Sequence, residues 1–154
     1  MSLNKIIIGF IIILLIFSGI IVFQINKTPA PKSKVTIDKH DFSVELATTS
    51  AQQQLGLSGR ASMPKNQGML FIFQVANRYP FWMKDMKFNL DMIFINNNKI
   101  VSIFQNVPKP KNANANLPTY APSSPANEVL ELNAGVAKTD GFKKGDTVSV
   151  TLAK

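Results

Sequence analysis

Hydrophobic positions fall along the chain in three rhythms, and each predicts a different kind of element. Residues 6–23, "IIIGFIIILLIFSGIIVF", are apolar with no charge among 18 positions. At about 1.5 Å per residue, a helix of that length approaches the roughly 30 Å hydrocarbon core of a bilayer, and Gln24–Ile25 extend it. No polar stripe interrupts the run, so it does not read as an amphipathic helix of a soluble core. Thr28-Pro29-Ala30 is followed by Pro31, a poor cleavage context, so the segment predicts an uncleaved anchor rather than a signal peptide. The expected organisation is a transmembrane helix over 1–25, a Pro-containing linker over 26–34 ("NKTPAPKSK") and a single domain over 35–154.

The second rhythm is alternation, which marks half-buried strands. "FSVELA" (42–47) places Val44 and Leu46 on one side and Ser43 and Glu45 on the other. "GMLFIF" (68–73) reads as a buried strand, and "PFWM" and "LDMIFI" as two more with "KDMKFN" between them. "NNN" (96–98) predicts a tight turn into "KIVSIF" (99–104), hence a hairpin over 90–104. "EVLELNAG" (128–135) resumes as a strand, and Gly145-Asp146 is a turn before the alternating C-terminal strand. The third rhythm is short and helical. Thr49 with Gln52 three residues on forms a capping-box pattern that Gly56 stops, and "VAKTDG" predicts one or two further turns. Residues 106–126 carry five prolines and four asparagines and predict a long flap. The fold class that results is mainly β (α+β): seven short strands and two short helices in a small curled sheet or β-barrel, behind one N-terminal transmembrane helix.

Charge refines this organisation. The net charge is +8, yet Lys5, Lys27, Lys32 and Lys34 flank the hydrophobic segment, and from Val35 on there are 13 basic and nine acidic residues. The basic residues are scattered, without an aromatic-interleaved basic motif, so nucleic acid is not an expected partner. Positive charge is nearly balanced across the span, and the four-residue tail before Lys5 makes an N-in, domain-out arrangement the simpler one. The expected location is therefore the cell membrane, single-pass, with the C-terminal domain on the extracytoplasmic side and residues 6–25 in contact with lipid. The chain has no cysteine, which excludes disulfides, thiolate metal sites, a Cys nucleophile and an acylated cysteine.

Candidate chemistry is sparse. The one histidine, His40, lies between Asp38 and Asp41 in a polar entry segment. No nucleophile elbow, phosphate-binding glycine loop, dinucleotide fingerprint or zinc-protease spacing is present, so no cofactor or metal is expected. A catalytic role would rest on carboxylates, lysines, a tyrosine or backbone dipoles, and a carboxylate enzyme would use Asp91 with Glu131 or Glu128, as glycosidases use two acids. Asp91 interrupts the apolar "NLDMIFI", and a salt bridge to Lys84 or Arg60 is the structural alternative. Met63, Met69, Met83, Met86 and Met92 have the soft thioethers that suit Cu(I), but neighbouring Phe, Ile and Leu mark them as core fillers. Trp82, the only tryptophan, and Tyr120 in the flap suit a glycan- or peptide-binding cleft.

Taken in order, "ELATTSAQQQLGLSGR", "GMLFIF", "FWMKDMKFNLDMIFI", "TYAPSSPANEVLELNAG" and "GDTV" resemble the signature blocks of the family called domain of unknown function 192, over nearly all of 36–152. The resemblance implies a compact β-rich domain, often behind a signal peptide or membrane segment, in a family with no established biochemical activity. Its motif positions here include Gly56, Leu57, Arg60, Gly68, Met69, Phe81, Trp82, Met83, Lys84, Leu90, Asp91, Pro125, Ala126, Glu131, Asn133, Ala134 and Gly135. The chain departs from the pattern at Asp85-Met86, commonly Asn-Thr, at Asn89, commonly Pro, and at Ser58, often Met. Lys84 and Asp91 thus belong to the pattern, whereas Asp85 and Lys87 do not. From this we expect Arg60, Lys84, Asp91 and Glu131 to converge near Trp82. The leading expectation is a ligand-binding or accessory module of the cell envelope, with Arg60, Trp82, Lys84, Asp91, Tyr120 and Glu131 around a cleft for a small molecule, glycan or peptide. The alternatives are a carboxylate-dependent hydrolase of envelope polysaccharide using Asp91 and Glu131, and a purely structural envelope protein.

Overall fold

The computed structural model describes residues 32–112 and 117–153. The expected span over 1–25 and the linker as far as Pro31 lie outside them. Among the described residues no helix is long and apolar enough to cross a membrane.

Seven strands form one sheet: β1 (Ser33–Ile37), β2 (His40–Ala47), β3 (Gln67–Asn77), β4 (Leu90–Asn96), β5 (Lys99–Val107), β6 (Ala126–Asn133) and β7 (Val148–Thr151). Their order across the sheet is β5-β4-β6-β3-β2-β1-β7. All pairs are antiparallel except β2 and β3, which run parallel from Ser43↔Gln67 to Ala47↔Phe71. A parallel pair needs a crossover, and the connection between these strands carries α1 (Ser50–Leu55). The predicted capping box is present. Thr49 Oγ1 accepts from the Gln52 N–H at 3.3 Å, and Gln52 Oε1 accepts from the Thr49 N–H at 3.0 Å. Gly56 ends the helix at φ 50°, where a side chain would be strained. At the other predicted turn, Asn97 and Asn98 both hold positive φ, so Asn96 and Lys99 close a two-residue hairpin.

The strand count matches the expectation through two offsetting differences. "PFWM" is not a strand: Phe81 makes only an isolated bridge to Tyr120, and the chain turns at Asp85 with φ 58°. Conversely β1 begins at Ser33, two residues inside the expected linker, with Val35 and Ile37 buried between β2 and β7.

Alternation divides the buried side chains between the two faces of the sheet. One face gathers Val35, Phe42, Leu70, Ile93, Ile100, Leu130 and Val148, with residues from all seven strands, and α2 (Val136–Thr139) packs there through Val136 and Ala137. The sheet curls around this layer as a half-barrel, and a bridge between Lys99 and Thr147 draws the β4–β5 hairpin toward the start of β7. The opposite face gathers Met69, Phe71, Leu90, Met92, Phe94 and Val129. It is covered by irregular chain rather than by strands: Leu57, Met63, Phe81, Met83, Met86 and Tyr120. This second layer positions the candidate site.

Candidate functional site

The segment after β3 is held by contacts that the apolar pattern does not specify. Phe81 and Tyr120 exchange both backbone hydrogen bonds, at 2.9 and 2.8 Å. Ser58 Oγ donates to the Lys84 carbonyl at 2.9 Å, and the Gly59 N–H donates to the Asp85 carbonyl at 2.9 Å. Leu57, buried beside them, roots that loop in the second layer. Met83 and Met86 point inward and are buried. Trp82 and Lys84, on the alternate positions, point out.

Trp82 is 54% exposed, high for the only indole of the chain. Lys84 Nζ lies 5.5 Å from the centre of its ring, a cation–π distance. Beside the indole lies a groove of about 840 Å³, walled by Phe71, Phe73, Tyr79 and Phe81 and rimmed by Ser50, Gln53 and Gln54 of α1. The wall is rigid. Phe73 and Tyr79 stack at 3.9 Å, Phe71 and Phe81 meet edge to face at 5.0 Å, and the Tyr79 hydroxyl donates to the Val75 carbonyl at 2.9 Å. Gln53 Nε2 donates to the Ile72 carbonyl at 2.9 Å, which docks α1 against β3. An apolar floor with a few amides at its rim is the usual make-up of a small-ligand site.

Of the residues expected at the cleft, only Trp82 and Lys84 line it. Arg60 makes a two-pronged salt bridge with Glu45, at 2.6 and 2.7 Å. Arg60, through these hydrogen bonds, holds the Glu45 carboxyl below its ordinary range, and Glu45 raises Arg60 in turn. It acts at the groove only indirectly, by fixing the loop whose Ser58 and Gly59 hold Lys84 and Asp85. Tyr120 stands behind Phe81 with its ring 5.5 Å from Phe104, so the flap at that point is a backbone clamp.

Asp91 and Glu131 do not meet. Met92 pairs with Glu131 across β4 and β6, and Asp91 pairs with Leu132, so the carboxyls project from opposite faces of the sheet. Asp91 is wholly buried in the layer with α2. Its Oδ1 accepts the Asn106 N–H at 2.7 Å and its Oδ2 accepts the Ala137 N–H at 2.8 Å. The expected salt bridge to Lys84 or Arg60 is replaced by two backbone amides, one at the left-handed Asn106 of β5 and one in the first turn of α2. Glu131 is 4% exposed in the second layer, between Met69 on β3 and Met92 on β4. Burial without a counter-charge pushes its carboxyl up to about 8. A two-carboxylate mechanism needs both acids on one cleft, and these two are separated by the sheet itself.

The remaining candidates have structural roles. All five methionines named for Cu(I) pack in or against the second layer, and four of them are buried. His40 pairs with Asp140 at 3.3 Å and meets Phe142 edge to face. It borders a second depression of about 720 Å³ with Lys65, Asn133 and Gly135, where the Asn133 amide is already spent on the Met63 and Pro64 carbonyls. Among the described residues no three His, Asp or Glu side chains group as metal ligands. Sequence reasoning missed Phe73, Tyr79 and Gln53, because their approach to Trp82 is made only by the docking of α1 and the stacking of Tyr79 on Phe73.

Comparisons with known proteins bear on the family and the fold. The family model DUF192, described as "Uncharacterized ACR", matches residues 33–150. The solved structure of a candidate transcription regulator from Sinorhizobium meliloti 1021 is similar at 32% identity and a TM-score of 0.69, covering 81% of this chain and 98% of that one. A protein of unknown function from Novosphingobium aromaticivorans DSM 12444 is similar at 29% identity and a TM-score of 0.68, covering 80% and 89%. No curated protein matches the chain.

Proposed function

This chain belongs to the DUF192 family, and on that premise we propose that it is a ligand-binding or accessory module of the cell envelope, anchored by residues 6–25 and carrying its domain outside the cytoplasmic membrane. The observation that carries the binding function is the half-exposed Trp82 at the lip of a preformed aromatic groove. An indole half in water forgoes about half of the free energy that its full burial would supply, and a large apolar side chain in a concave, amide-rimmed setting suits a ligand that covers it. The wall rings are fixed by one another, so the groove would bind without paying to order its floor. A glycan, peptide or small molecule with one flat apolar face fits such a site.

None of Asp91, Glu128 and Glu131 lines the groove, and Asp91 and Glu131, the pair a hydrolase would use, stand on opposite faces of the sheet. Binding is therefore the activity that the residues support. The test uses the single tryptophan of the full chain in detergent. Titration with neutral oligosaccharides, acidic oligosaccharides and short peptides should give a saturable change in Trp82 emission with one class. Trp82→Ala should abolish binding, followed by calorimetry, and leave the melting temperature within a few degrees. Emission indifferent to every class would remove the proposal.

A further inference from the structure

The depression does not stop at the indole. On the far side of Trp82 and Lys84, which it shares with the aromatic groove, lies a trough of about 590 Å³. Four lysines line it: Lys84, Lys87, Lys109 and Lys111. They come from two segments brought side by side when Asn89 Oδ1 accepts the Lys109 N–H at 2.9 Å. Asp85 is the one acidic residue of the lining, so the trough holds an excess of three positive charges where the sequence from Val35 on has four. None of the four lysines is in an ion pair among the described residues, although Lys34, Arg60 and Lys143 each are.

Like charges gathered without counter-charges repel one another, and an anion relieves that repulsion. We propose that this trough receives the acidic substituents of an anionic oligosaccharide whose sugar ring lies against Trp82. The inference rests on the binding role proposed above and names the chemistry of its ligand. A sugar ring offers an apolar face of C–H groups for one indole, hydroxyls for the Gln54 amide at the groove rim, and carboxylates or phosphates for the lysines. Single-stranded nucleic acid fits less well. It needs successive exposed rings for successive bases, whereas here Trp82 alone is exposed and the other rings are packed against one another.

The full chain in detergent is titrated with three sugar oligomers of equal length: a neutral one, a uronate and a phosphate-bearing one. A single-stranded oligonucleotide and anionic lipid vesicles serve as competitors. Trp82 emission and calorimetry are both followed. At least one acidic oligomer should bind more than about tenfold tighter than the neutral one, and the preference should shrink as salt shortens the screening length. Which acidic oligomer wins identifies the substituent. The double substitution Lys87→Gln/Lys111→Gln, at exposed positions, should erase the preference while leaving the neutral sugar's affinity and the melting temperature unchanged. Equal affinity for neutral and acidic oligomers overturns the inference and leaves the binding role standing. Tighter binding of the oligonucleotide or the vesicles overturns it in favour of that class. Emission and heat unchanged by every oligomer and competitor overturns both.

Discussion

Asp91 and Glu131 show how one sheet treats two buried carboxyls in opposite ways. Asp91 accepts two amide hydrogen bonds and ties the end of β5 to the first turn of α2. Asp91→Asn would leave an NH₂ facing one of those N–H donors, so a donor would go unpaired in a dry layer. A buried donor left unsatisfied costs about 1–3 kcal/mol, and with the lost bond itself the total should be roughly 2–4 kcal/mol. A denaturant midpoint equal to wild type would show that the amides find other partners. Glu131 receives no such support, and its burial costs stability instead. Its carboxyl titrates near 4.5 when free and at about 8 in the fold. Between those values the folded chain keeps a proton that the unfolded chain has released. Stability therefore falls as pH rises through that window, by about 1.4 kcal/mol per pH unit, and levels off above it. Glu131→Gln, which cannot ionise, should flatten that slope in urea titrations at pH 5, 6.5 and 8. Parallel slopes for the two proteins would assign the pH dependence to another group.

Among the elements, β3 carries the most, since it joins the parallel β2, the antiparallel β6 and the groove wall. Gly68 sits where β3 approaches β6. A Cβ there would lie 2.7 Å from the Glu131 carbonyl oxygen and 2.8 Å from Leu132 Cδ2. A backbone oxygen cannot swing away as a side-chain tip can, so Gly68→Ala should lower stability by roughly 1–3 kcal/mol with an unchanged denaturant slope. An unaltered midpoint would mean that the two strands part at no cost. At this scale the sequence was legible where local chemistry decides: the alternation of β2, the capping box at Thr49 and Gln52, and the asparagine hairpin. It misled where tertiary contact decides. "PFWM" is apolar enough for a strand, but Phe81 makes only an isolated bridge to Tyr120, Met83 buries itself from irregular chain, and the backbone turns at Asp85. β1 is the reverse case, a short strand among lysines that forms because β2 and β7 flank it. The site divides on the same line. Trp82 and Lys84 were visible as an aromatic beside a charge, whereas the separation of Asp91 from Glu131 needs the strand register, which no single sequence displays.

The domain from Lys32 onward has its own core, with the half-barrel layer drawing on all seven strands and the second layer sealed by its own loops. The described core is built from residues after Pro31, and on the membrane role proposed above the 18 uncharged residues from Ile6 would serve as the anchor. The full chain should sediment with membranes, resist alkaline carbonate and enter detergent. A chain that starts at Lys32 should appear in the soluble fraction with the same melting transition as the detergent-solubilised parent. Protease added to intact spheroplasts should then cleave the full chain, as the N-in arrangement requires. Continued sedimentation of the shortened chain would move the membrane contact onto the domain, where the lysines beside Trp82 are the first candidates. Protection from protease would reverse the topology and with it the case for an envelope ligand, because an acidic envelope glycan can reach Trp82 only from the outer side of the membrane.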